Sequence, residues 1–529
     1  MALSPPIAIH PLGFVPDLAP NTPGAIVDMS GCIPTIAGMR TLPGFKNLVL
    51  SLAGGILGLV TETTGAGAQF NFAGNAVHLY LRNGAMWVEN DGGQVFNVGS
   101  GRWRFAQFND DMIATDGNVG DPGGGVQVSA AGGVFGPLGG NPPSGKYVAV
   151  TDPGGIAAVA FLFNTVAAPN GWYASAPGND GLWSLNQIDQ SAFGILGATP
   201  GPITGANNVR QNMVAFKASS FYQGQYIGGQ YVWDFQPQSF QVGCTSNEAI
   251  INVGDFLAFP GPDDFYTWDG QSLNPIPNAL RQWYFRNLNQ SFSANVQGVY
   301  FSAFNVCLWS FPSVNVPAKY AGVLDSYVAW NMKTGMWSSG TWGKDTNGNP
   351  IYVLGFVNQI PQSQPLTYGQ FGILYKTYGG MPTGLTYGSA SFGATPTFNS
   401  GVALSNGGIY IFSGPPQGPP YIQFGDVGDL EHYIGIDRVK LQFSVYPQTG
   451  SVYPPLPGAR LTSFTRDALG SQTETQGPSV LVPTDQAYLN EDASFDIRES
   501  ARWHQFKAEF YADAEVNGYA IEPSDEGVR

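Results

Sequence analysis

The side chains of this 529-residue chain that could do chemistry are few and scattered. Its four histidines, His10, His78, His432 and His504, lie far apart, and no H-E-x-x-H or C-x-x-C spacing sets two metal ligands on one element. A single histidine in a strand reads as a packed or solvated residue. The three cysteines, Cys32, Cys244 and Cys307, are odd in number and widely spaced, which offers no disulfide framework. Each reads as a small apolar core residue, so the chain should carry three free thiols. Two loops, Asp116-Gly-Asn118-Val-Gly-Asp121 and Asp345-Thr-Asn347-Gly-Asn349, set oxygen ligands at nearly alternate positions, roughly as a calcium loop does. Neither is followed by the bidentate Glu of such a loop, and Asn, Asp and Gly are also the standard turn formers. Both loops therefore read as turns.

Asp180, Asp263, Asp264 and Asp325 could serve glycoside cleavage if folding brought two of them about 5 to 10 Å apart. Asp263 and Asp264 lie between prolines and read more simply as a solvated turn. There is no G-x-S-x-G elbow, and nothing helical follows the run Pro122-Gly-Gly-Gly125, so neither a nucleophile elbow nor a phosphate loop is predicted. The residues predict a protein without catalytic groups, metal or cofactor.

Composition says what kind of scaffold holds these residues. Charged residues make up 11% of the chain, against about 25% in an average soluble protein, while Gly (71) and Pro (40) are abundant. With 43% hydrophobic residues and many aromatics, this is a chain of short strands and tight turns rather than a disordered one. The net charge of −15 excludes a surface that grips nucleic acid through clustered Lys and Arg. The first twenty residues hold five prolines and no basic segment, so no secretory signal is predicted. No apolar run approaches the ~18 residues of a membrane span. Folding in a reducing cytoplasm is the expectation.

The elements follow from the turns. Residues 1–45 are predicted as an extended arm, because Pro5, Pro6, Pro11, Pro16, Pro20 and Pro23 exclude a helix while Ile7, Ile9, Leu12, Phe14 and Val15 give it something to bury. From residue 46 short strands alternate with turns such as Asn83-Gly84, Asn109-Asp110 and Lys333-Thr-Gly335. Five strand-like tetrapeptides carry Ala in third place: Met112–Thr115, Tyr147–Val150, Met213–Phe216, Phe256–Phe259 and Tyr327–Trp330. The shorter gaps between them fit one propeller blade of about 40 to 50 residues, and the longer ones a blade with insertions. Small residues of this kind are expected on the crowded strands nearest the axis. Trp near a strand end, as in Tyr231-Val-Trp-Asp234 and the run FYTWDGQ at 265–271, would cap the packing between blades. One helix is predicted, over 278–288. Residues 431–529 are richer in charge and read as antiparallel strands that complete or pack on the propeller. Along 503–511 the alternation puts His504, Phe506, Ala508 and Phe510 on an apolar face and Trp503, Gln505, Lys507, Glu509 and Tyr511 on a largely polar one. The fold class is all-β: a propeller-like array at 46–430, an arm before it and strands after it.

Three stretches give the chain a resemblance to a family. The Pro-rich opening ending in Gly38-Met-Arg-Thr-Leu-Pro-Gly44, the run from Asn212-Met-Val-Ala-Phe-Lys217 through Val242-Gly243 to FLAFPGPDDFYTWDGQSLNPIP (256–277), and the ending FDIRESARWHQFKAEF (495–510) with Gly518 and Glu526-Gly-Val-Arg529 carry it. Together they resemble the β-propeller tail hub or nozzle proteins of short-tailed double-stranded DNA bacteriophages. Residues 160–210 and 359–420 match least. The resemblance implies a virion structural protein made in the host cytoplasm, one of six copies in a ring below the portal and adaptor. It also implies contact with tail fibre or spike proteins and a conduit through which DNA leaves. An acidic or neutral polar lumen suits such passage, since a basic one would hold the phosphates. A glycan-binding or glycoside-cleaving propeller, and a monomeric scaffold propeller, are the rival readings.

Overall fold

A computed structural model describes residues 7–49, 51–84, 86–99, 101–345, 347–357, 401–412, 418–428, 432–445, 457–466, 475–483, 494–511 and 513–524. Their strands form nine sheets, seven of which have four strands each. Six of these are consecutive meanders, spanning 58–89, 104–137, 145–195, 205–239, 251–275 and 297–341. The seventh takes three strands from Val353–Val357, Gly401–Leu404 and Ile409–Phe412, and its fourth, outermost strand is Phe45–Val49 from near the N-terminus. The first strand of each sheet packs against the first strand of the next, and Val353–Val357 packs against Gly58–Thr63. The array is a closed seven-bladed β-propeller whose last blade is completed by a strand from the other end of the chain.

Local chemistry explains the blades. Asn109 (φ 54°) and Gly84 (φ 62°) adopt the left-handed backbone that a tight hairpin needs, at Asn109-Asp110 and Asn83-Gly84. Side chains between neighbouring blades then form successive apolar clusters. One joins Phe72 and Leu79 to Trp103 and Met112, another Phe161 and Trp172 to Ala215 and Trp233. Tryptophan N–H groups stitch these seams: Trp103 Nε1 donates to Asn75 O (2.9 Å), Trp268 Nε1 to Gln223 Oε1 (3.1 Å) and Trp309 Nε1 to Ala249 O (3.0 Å). The inter-blade role expected for Trp268 holds.

The alanine repeat has a different cause from the one predicted. Only Ala149 lies on an innermost strand. Ala114, Ala215 and Ala258 are on second strands, and Ala329 is on a third. All five are buried in apolar clusters, and four of them lie off the innermost strands, so crowding at the axis is not their common cause.

The remaining two sheets stand beside the propeller and share one core. One runs Ser494–Ala501, Ile434–Val445, Ala514–Pro523, Met39–Thr41, Cys32–Pro34, with Ile7–Ile9 also on the 514–523 strand. The other runs Gly13–Phe14, Ala25–Ser30, Tyr421–Phe424, Trp503–Phe510, Pro457–Arg466, Thr475–Pro483, with Val427–Gly428 also on the 503–510 strand. Phe424 and Phe506 of the second meet Tyr519 of the first at ring separations of 4.4 and 6.1 Å. This β-sandwich is woven from both ends of the chain. The alternation along 503–511 holds for its apolar face, since His504, Phe506, Ala508 and Phe510 are all buried. Its polar face is less exposed than the pattern implies: Trp503 and Gln505 are buried too. Gln505 Oε1 accepts hydrogen bonds from Arg466 Nη2 (2.9 Å) and Gln423 Nε2 (2.6 Å), which lets a polar side chain be covered.

The arm also binds the sandwich to blade six. Tyr327 Oη donates to Cys32 O (3.1 Å), and Asn331 Nδ2 donates to Pro34 O (3.2 Å). The approach is close enough at Gly340 that a Cβ there would lie 2.7 Å from Gly31 N. The helix is Arg281–Asn287, shorter than predicted, and Asp17 of the arm caps it by accepting from Gln282 N (2.6 Å) and Trp283 N (3.0 Å). Among the described residues no helix is long and apolar enough to cross a membrane. The stretches 359–400 and 526–529, which bear on the family resemblance, lie outside the described residues.

Candidate functional site: the propeller channel and its charged spokes

In each blade the innermost strand has one edge unpaired, so backbone N–H and C=O groups of seven strands face the axis and need partners. A cavity of about 200 Å³ remains there, lined by Gly58, Gly298 and Gly355 and by the side chains of Arg102, Arg104, Glu248 and Gln297. These side chains cross between blades like spokes. Arg102 Nη2 donates to Leu354 O (2.7 Å) on blade seven, and Gln297 Nε2 from blade six reaches the same carbonyl (3.2 Å). Arg104 Nε donates to Glu248 Oε1 (2.9 Å) at the head of blade five, and its Nη1 donates to Lys146 O (3.3 Å) on blade three. The Arg104 guanidinium also lies over the Tyr147 ring, 4.5 Å from its centre.

The electrostatics follow from partial burial. Burial alone would raise the Glu248 carboxyl, but the Arg104 and Arg102 guanidinium groups and hydrogen bonding outweigh it and hold the group below its ordinary value. Burial lowers Arg102 and Lys146, and Arg104 adds to the lowering of Lys146. The arrangement joins blade two to blades three, five and seven across the axis. Duplex DNA, whose major groove alone is about 12 Å wide, does not fit such a cavity. Two guanidinium groups there would in any case hold phosphate rather than release it.

The acidic residues singled out in the sequence go to separate places. Asp345 Oδ1 accepts from Asn347 N (2.9 Å) and Asn349 N (2.8 Å), and the Asn349 bonds hold its carboxyl below the ordinary value: a turn. Asp116 and Asp121 are both buried. Burial, then the adjoining Asp121 carboxyl, pushes Asp116 upward, so Asp116 favours holding a proton. Asp263 Oδ1 accepts from Tyr266 Oη (2.8 Å), and Asp264 Oδ1 accepts from Asn278 Nδ2 (2.7 Å). Asp325 is bound by Ser313 N and Oγ and by Ser326 Oγ. Asp180 lies in blade three, where burial raises it. Among the described residues no shared hydrogen-bonding partner links Asp180, Asp263, Asp264 and Asp325. The three cysteines are buried and unpaired, and burial pushes each thiol upward.

The histidines differ from expectation at one position. His78 has close acidic neighbours: its Nδ1 lies 2.9 Å from Asp91 Oδ2 and 3.7 Å from Glu89 Oε1. His504 Nε2 meets Ile434 O at 2.8 Å, and burial lowers its pKa. Sequence reasoning missed both His78–Glu89–Asp91 and the channel spokes. The first had a signal. The Asn83-Gly84 turn sets Asn83 opposite Met86 and Tyr80 opposite Glu89, which carries His78 towards Asp91. The spokes had none, since Arg102, Arg104 and Glu248 meet only when the ring of blades closes.

No family model and no curated protein matches the chain. Among solved structures, the chain is similar to the extracellular domain of a protein named as a one-component system from B. thetaiotaomicron, at 10% identity and a TM-score of 0.38 over 82% of this chain. It spans 47% of that domain's length. It is also similar to the WD40 domain of Pan2 from Neurospora crassa, at 10% identity and a TM-score of 0.35, covering 58% of this chain and 83% of that one. The assignment as a propeller rests on this chain's own sheet order and ring closure.

Proposed function

We propose that this β-propeller scaffold is a virion structural protein, a tail hub or nozzle subunit of a short-tailed bacteriophage, acting by assembly rather than catalysis. Six copies would form a ring below the portal and adaptor and bound the path by which DNA leaves. The observation that carries this reading is the bridging of the propeller axis by charged side chains. Arg102, Arg104 and Glu248 tie the blades together across it, so the propeller is a closed block suited to building a wall. The resemblance of the arm, the 212–277 run and the closing strands supports the family, and a net charge of −15 per copy suits a lumen that does not hold phosphates.

A ring of identical copies needs two different faces that meet. Blades three and four expose Leu185, Ile188 (90% exposed), Phe193, Ile195, Ile227 and Tyr231. The loop and hairpin that bear them are joined by Tyr226 Oη donating to Gln190 Oε1 (3.1 Å). Apolar surface of this kind on a charge-poor protein supports burial against a neighbouring copy. The test is reconstitution on isolated portal–adaptor particles. The expected result is six copies per particle, reduced by charged substitutions such as Ile188→Asp. A chain that stays monomeric with those particles and is absent from virions would overturn the proposal and favour the scaffold or glycan-binding readings.

A further inference from the structure

We propose that His78, Glu89 and Asp91, completed by the backbone carbonyl of Gln94, form a site for one divalent transition-metal ion of borderline softness, with zinc the best fit. The four groups come from one hairpin and the turn that follows it. His78 immediately precedes the strand Leu79–Asn83, and Glu89 ends its partner Met86–Glu89. Asp91 and Gln94 lie in the turn beyond, where Gly92 and Gly93 take positive φ angles of 65° and 80°. The hairpin register therefore delivers all four to the same end of blade one.

The spacing suits a metal. Zinc holds nitrogen and oxygen ligands tetrahedrally at about 2.0–2.2 Å, which sets neighbouring ligand atoms about 3.3–3.6 Å apart, a separation the distances at His78 bracket. From His78 Nδ1 the distances are 2.9 Å to Asp91 Oδ2, 3.1 Å to Gln94 O and 3.7 Å to Glu89 Oε1. The ligand atoms of the three side chains all lie within 4.8 Å of one another. One imidazole nitrogen with oxygen donors is a set for zinc or its first-row neighbours, whereas calcium and magnesium take oxygen alone.

Charge points the same way. The Asp91 side chain is fully buried, and among the described residues the only ion-pair partner of Asp91 or Glu89 is His78. Even a protonated imidazole leaves one negative charge in excess, whereas a divalent ion with neutral His78 balances both carboxylates. The Asp91 carboxylate is already oriented by Leu79 N (3.2 Å) and Gly93 N (3.0 Å), the outer support that ligating carboxylates need. The same turn reaches blade two, where Gln94 Nε2 donates to Phe135 O (3.2 Å) and Asn90 Nδ2 to Gly133 O (2.7 Å). A bound ion would therefore fasten blade one to blade two. The site is independent of any role in a tail.

The test is calorimetric titration of metal-stripped, tag-free full-length protein with zinc chloride, alongside its thermal midpoint and the visible absorption of a cobalt(II)-loaded sample. One zinc per chain, a raised midpoint, and affinity at least tenfold weaker in both His78→Gln and Glu89→Gln are expected. Glu89 is 46% exposed, so Glu89→Gln should fold and remains decisive if His78→Gln does not. Zinc held equally well by wild type and Glu89→Gln, no saturable zinc binding, or calcium or magnesium bound as tightly as zinc would each overturn the site.

Discussion

Single buried carboxylates report on this fold more directly than its apolar residues do. Glu62 on the first strand of blade one is fully buried. Burial pushes its carboxyl up to about 7, with Asp111 and Asp110 adding to the rise and the Gly132 amide opposing it. A raised folded pKa means that the native state keeps a proton the unfolded chain has lost. This contribution to stability therefore falls as pH rises from the ordinary Glu range through about 7. Glu62→Gln should remove that loss and raise stability at pH 8 by on the order of 2 kcal/mol, with little change at pH 4. Urea denaturation at the two pH values checks it, and equal effects at both would contradict it. Glu248 has the opposite sign. Its depressed carboxyl stabilises the fold above the ordinary Glu range, and that contribution is lost as pH falls through the folded pKa. Glu248→Gln leaves Arg104 partly buried without its ion-pair partner and should cost about 3 kcal/mol near neutral pH. A change under about 0.5 kcal/mol, the range of ordinary surface substitutions, would show that the spokes do not hold the ring.

At the scale of elements, turn chemistry and apolar alternation carried most of the information. Asn83-Gly84, Asn109-Asp110 and Lys333-Thr-Gly335 mark their hairpins because only a few residue types accept the backbone a tight turn demands. The five alanines revealed repetition, but not their strand number, because period-2 alternation is the same in every strand of a blade. Gln94–Val98 is irregular, since Asp91 and Gln94 use their hydrogen bonds to form the turn around His78. Closure of blade seven by Phe45–Val49 and the pairing of arm strands with 514–523 are contacts hundreds of residues apart, which no local pattern encodes. Those long-range pairings carry a prediction. The strands Trp503–Phe510 and Ala514–Pro523 are interior in the two sandwich sheets, and Phe506 and Phe510 each contribute roughly 1.5–3 kcal/mol by burial. A chain ending before residue 495 should be insoluble or fail to assemble. Soluble truncated protein with normal assembly would show the sandwich to be an accessory.

At the scale of the whole molecule, one closed propeller and one sandwich are tied together by both ends of the chain, and the propeller axis is spanned by charged side chains. If the chain lines a DNA conduit, the duplex must run outside each propeller, along the axis of a ring of copies. Cryo-electron microscopy of virions tests this most directly. The account predicts six copies around the tail axis, duplex density on that axis, and no density threading the cavity beside Arg102 and Glu248. Images placing this protein off the DNA path as a peripheral spike, or DNA inside the propeller channel, would contradict it.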